Sequence, residues 1–129
     1  MAVMRKLLLS ITMALALSGC ASLQTAWSVI TSAAVTPQQI IIAGNTFDGL
    51  EDTATQYLVY CKANLGTPQC ALSIRQKVVA DVRAGRVARN ALEPYVTSGT
   101  AGPAAIYNTL VASITSLQAS SATVQGAAK

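Results

Sequence analysis

The chain has 129 residues, of which 52% are hydrophobic, 11% charged and 5% aromatic, with nine basic side chains against five acidic. At about 100–200 residues per domain it holds one domain at most, and its charge content is far below the roughly 25% usual for soluble globular proteins. It has no histidine and three cysteines, which excludes the usual zinc sites and every Ser-His, Cys-His or His-iron arrangement, because those need an imidazole as ligand or base near neutral pH.

Arg5 and Lys6 give the start of the chain a positive charge, and residues 7–17 are apolar except for Ser10 and Thr12. That run is shorter than the about 20 residues needed to cross a hydrocarbon core, so it reads as an export signal rather than an anchor. It ends in Leu17-Ser18-Gly19-Cys20-Ala21. This ending resembles the lipobox of bacterial lipoproteins, in which small residues precede a cysteine whose thiol is diacylated and cleavage falls on its N-terminal side. The resemblance covers residues 1–21. It implies a signal peptide over residues 1–19 and lipid attachment at Cys20. Because position 21 is Ala and not Asp, it also implies sorting to the outer membrane, with the domain facing the periplasm. One acyl chain binds a membrane only reversibly, whereas several together anchor stably without a transmembrane helix. Without residues 1–19 the chain keeps seven basic and five acidic side chains, a net charge of +2. That is too little for a nucleic-acid-binding face, which needs a concentrated basic surface.

Export fixes the redox compartment. With Cys20 consumed by lipid, Cys61 and Cys70 form an even pair in an oxidising space, and one disulfide is expected. Gly66 and Pro68 between them mark a turn. A redox-active pair is the alternative, but eight residues separate the thiols and no cation cluster lies beside them to depress a thiol pKa.

In chain order, residues 20–35 read as a lipidated tether, small and polar apart from Trp27, Val29 and Ile30. Trp27 suits either the headgroup level of a membrane or the end of the domain core. A helix start follows, with Thr36 as N-cap, Pro37 at N1, Gln39 completing a capping box, and Val35 and Ile40 as a hydrophobic staple. Ile40, Ala43, Phe47, Leu50, Ala54, Tyr57 and Cys61 then recur at alternating spacings of three and four, the seam of a packed helix about 40 Å long. Asp48, Glu51 and Asp52 form an acidic flank on it. From Cys70 to Glu93 a second helix groups Ala71, Ile74, Val78, Val82, Gly85 and Leu92 on one face. Arg75, Arg83, Arg86 and Arg89 lie beside that face, where an antiparallel hairpin brings them toward the acidic flank. Pro94 is expected to end or kink this helix. Residues 98–102 read as a linker, and Pro103 opens a third helix to about Gln118, with Ile106, Tyr107, Leu110, Ile114 and Leu117 at helical spacing. Residues 119–129 lack periodicity and read as a flexible tail. The expected fold is therefore all-α, a small three-helix bundle over residues 36–118.

No catalytic constellation emerges. Asp48, Glu51 and Asp52 share one helix face, whereas a glycosidase needs carboxylates facing each other across a cleft. The glycines of residues 99–102 lack the lysine of a phosphate loop. A tight bundle of small aliphatic residues also leaves little room for a pocket of about 300 Å³. Neither cofactor nor metal is expected. Thr36-Pro37-Gln38-Gln39, Asn45-Thr46-Phe47-Asp48 and residues 85–93 resemble small lipoproteins of alphaproteobacteria and their phages. That resemblance supplies context but no residue roles. The expectation is a non-enzymatic, membrane-anchored module that binds an envelope protein, with Asp48, Glu51, Asp52, Arg86, Arg89 and Trp27 as interaction residues. The alternative is a phage or prophage lipoprotein acting in superinfection exclusion or lysis.

Overall fold

The structure is a computed structural model and describes residues 34–127. It is an all-α three-helix bundle, as the periodicity predicts. Helix α1 spans Pro37–Ala63, α2 Leu72–Ser98 and α3 Ala104–Ala127. A 3-10 turn, Pro68–Cys70, precedes α2, and two short strands, β1 (Ala34–Val35) and β2 (Gly102–Pro103), pair antiparallel at the other end of the hairpin.

The start of α1 has the predicted capping box. The Gln39 backbone N–H donates to Thr36 Oγ1 at 3.3 Å, and the Thr36 N–H donates to Gln39 Oε1 at 3.0 Å, so two donors that no helical turn can satisfy are paired reciprocally. Val35 and Ile40, the expected staple, are both buried. The α1 seam is buried at Ile40, Ala43, Phe47, Ala54 and Cys61, with Leu50 and Tyr57 half-buried.

Helix α2 buries Val78, Gly85, Ala88 and Leu92. Gly85 lets α2 pack under the Phe47 ring of α1, which occupies the space a Cβ on Gly85 would take. Of the end or kink expected at Pro94, the end is overturned, for α2 continues to Ser98. Pro94 removes the donor that would pair the Asn90 carbonyl, but both residues are exposed, so water can meet that carbonyl in its place. The terminator is Gly99, at φ 68°. Its N–H donates to the Val96 carbonyl and the Thr100 N–H to the Tyr95 carbonyl, the paired closure of a Schellman motif, which glycine enters without a Cβ penalty.

Two further boundaries move. The expected tether over residues 20–35 ends earlier, because Ala34 and Val35 pair with Pro103 and Gly102 and Val35 is buried in the core. The expected flexible tail is helical through Ala127. Ser113 and Ser120 are buried on α3 together with Tyr107, Leu110, Ile114 and Leu117, so the core stripe passes through two serines that hydrophobic periodicity does not count. The Ser113 hydroxyl donates to the Thr109 carbonyl one turn back, which satisfies it inside the bundle. Tyr107, Phe47, Leu92, Leu110, Ile114, Val35, Cys61 and Cys70 are the largest fully buried side chains.

Candidate functional site

The hairpin brings the acidic flank of α1 against two of the four arginines, Arg86 and Arg89, whereas Arg75 and Arg83 form no ion pair among the described residues. Arg89 Nε and Nη2 donate to the two Asp48 carboxylate oxygens at 3.0 and 3.1 Å, and its Nη1 reaches Glu93 at 3.1 Å. Arg86 Nε donates to Glu51 at 2.9 Å, and its Nη2 also pairs with Glu51. The Asp48 hydrogen bond is the main cause that holds the Arg89 guanidinium above its ordinary pKa, reinforced by the charges of Asp48, Glu93 and Glu51 and opposed by partial burial. Planar, two-point pairing of this kind fixes register, although pairs this exposed contribute only about 0–1 kcal/mol each. Four of the expected interaction residues are thus engaged with one another across the helix interface. Asp52 is exposed and makes no ion pair among the described residues. Cys20 and Trp27 lie outside the described residues.

A second polar cluster joins α2 to α3. Lys77 pairs with Asp81 at 3.0 Å, the Ser116 hydroxyl donates to Asp81 at 2.6 Å, and Lys77 also contacts Ser116. The i, i+4 spacing of Lys77 and Asp81 was a readable signal for half of this cluster, whereas nothing in the sequence marks Ser116 as the partner. Among the described residues no group of three or more Cys, Asp or Glu side chains could hold a metal ion.

The larger space that the bundle leaves is a surface groove, not a pocket within its core. Ala84, Ala88, Ala91 and Ala105 leave an open trough of about 610 Å³ between α2 and α3, edged by Val87, Ile106, Thr109 and Arg83, because alanine side chains are too short to fill the valley between two helices. A smaller cavity of about 120 Å³ lies between Leu50, Ala54, Tyr57, Val78, Leu117 and Val124. Arg83 is the one ionisable side chain at the trough, and Tyr57 the one at the smaller cavity.

The end of the bundle distal to β1 and β2 is built around the Cys61–Cys70 disulfide, with both cysteines fully buried. The Tyr57 hydroxyl donates to the Gln69 carbonyl at 2.7 Å, and Arg75 Nε donates to the Cys70 carbonyl at 2.9 Å. Burial raises the Tyr57 pKa, and nearby Arg75 partly offsets the rise. Around this bridge Val59, Tyr60, Leu65 and Leu72 are exposed to solvent. No helix of the described residues is long and apolar enough to cross a membrane. Comparison with protein-family models, curated proteins and solved structures finds no match to the chain.

Proposed function

We propose that the chain is a lipid-anchored, non-enzymatic interaction module of a bacterial cell envelope. The observation that carries this is the Cys61–Cys70 disulfide, which accords with the oxidising compartment that the signal-like N-terminus and Cys20 demand. The absence of histidine and the mutual pairing of Asp48, Glu51, Arg86 and Arg89 favour a scaffold that presents a surface rather than a reacting centre.

The test is one membrane preparation read in two ways. Intact mass should place the first residue at Cys20 with acyl mass added, and Cys20→Ser should abolish both the cleavage and the added mass. A product unmodified at Cys20 refutes the anchor. Crosslinked capture from the same membranes should recover an envelope protein. The charge-swapped Asp48→Arg, Arg89→Asp, Glu93→Lys protein exchanges the signs of both Arg89 pairings, so reduced recovery with unchanged helicity places the interface on this seam.

A further inference from the structure

We propose that the distal end of the bundle is a tip that docks on an anionic lipid surface. Val59 and Tyr60 in the last turns of α1, Leu65 in the loop and Leu72 at the start of α2 are 59%, 47%, 58% and 59% exposed. Among the described residues only Ile41, Ile42 and Val87 are other exposed large hydrophobic side chains, so four of the seven lie on the segments that flank the disulfide. Scattered apolar side chains on a surface are ordinary, but a contiguous cluster marks an interaction site.

Charge selects the occupant. The five side-chain carboxylates of the chain are Asp48, Glu51, Asp52, Asp81 and Glu93. None lies between residues 53 and 80, which include the last turns of α1, the loop and the start of α2, and none lies on α3, whose end is also at this end of the bundle. Lys62 and Arg75 do lie there. Aliphatic side chains, a tyrosine and cations without a single carboxylate are the composition of a membrane-interface contact. The apolar groups enter the acyl boundary, the tyrosine sits at headgroup level, and the basic groups meet the phosphates. The disulfide ties α1 to α2 at this point, so insertion does not require the helix ends to separate. Docking of this kind deepens the envelope reading above but does not depend on acylation of Cys20.

The experiment uses the full chain with Trp27→Phe, so that a single tryptophan placed by Leu65→Trp, or by Val87→Trp on the flank of α2, reports its own surroundings. In phosphatidylglycerol vesicles containing brominated lipid, the Leu65→Trp protein should be quenched several-fold more than the Val87→Trp protein, with blue-shifted emission. The difference should shrink in high salt and in phosphatidylcholine vesicles. Equal quenching at the two positions, or equal quenching of Leu65→Trp in both lipids, overturns the proposal. So does an unquenched tip that crosslinks to an envelope protein. Acylation is read separately by intact mass on the same sample, so failure of the tip and failure of the anchor are distinguishable.

Discussion

Adding one methyl group at Gly85 tests how closely Phe47 packs on the α2 backbone. A Cβ there would stand 2.1 Å from Phe47 Cε2, 2.6 Å from Cζ and 2.8 Å from Cδ2, so the ring edge must retreat by about 1.3 Å to reach ordinary van der Waals contact. Phe47 is fully buried and has no solvent to retreat into. Alanine gains about 1 kcal/mol over glycine in a helix interior, while overpacking a core costs typically 1–3 kcal/mol and sometimes more. With a clash this deep we expect the upper part of that range, a net loss of about 1–2 kcal/mol from Gly85→Ala. For a domain of this size each kcal/mol lowers Tm by roughly 4–8 °C. Gly49→Ala is the control. It lies in the interior of α1, as Gly85 does in that of α2, but a Cβ there would have nothing within 4 Å, so helix propensity acts alone and should raise stability by about 0.5–1 kcal/mol. Thermal and urea unfolding followed by far-UV circular dichroism measures both. Phe47→Leu should soften the penalty in the Gly85→Ala background, because contacting residues couple non-additively. If Gly85→Ala is as stabilising as Gly49→Ala, the close packing of Phe47 on the α2 backbone is wrong.

Two further outcomes follow from other parts of the bundle. Replacing Cys61 and Cys70 by alanine together should cost about 2–3 kcal/mol through the freed ten-residue loop of the unfolded chain, read as a lower urea midpoint that reductant no longer changes; a midpoint equal to that of the oxidised wild type refutes it. Tyr107 is buried, and desolvation raises its pKa, as burial does for Tyr57. The folded state therefore holds these protons more tightly than the unfolded chain does. Stability should be flat below about pH 10, the unfolded value, and fall as pH rises from there through the raised folded values. Urea midpoints across that range should show the fall, with Tyr107→Phe making it shallower; an unchanged slope in Tyr107→Phe counts against the burial.

Elements with local chemical signatures were legible from sequence. Thr36, Pro37 and Gln39 mark the start of α1 because capping is a matter of three adjacent residues, and the α1 seam shows because its core positions are apolar. The pairing of Asp48 and Glu51 with Arg89 and Arg86 follows from an antiparallel hairpin alone. Harder to read were features whose cause lies across the fold. Gly99 ends α2 because an αL conformation is needed after Ser98, yet Pro94, five residues earlier, is the louder local signal. The end of α3 was hidden by Ser113 and Ser120, polar side chains on a buried stripe. Val35 reads as a staple residue, but its partner strand, Gly102–Pro103, has no strand signature of its own. The seat of Phe47 on Gly85 needs two helices in register, and the α2–α3 trough needs several alanines to face one another. Neither condition can be seen from a single segment.

The strand bridge at the chain's entry has a consequence for the order in which the fold assembles and loosens. Helices α1 and α2 are joined by a short loop and α2 and α3 by a shorter one, so both helix pairs are neighbours in sequence and condense early. The pairing of Ala34 with Pro103 and Val35 with Gly102 instead closes a loop that encloses two whole helices, and its closure entropy is met only after they are in place. The same contact is therefore the last to form. Opening it would withdraw Val35 from the core, so the bridge is held by buried apolar surface as well as by the pairing of four residues.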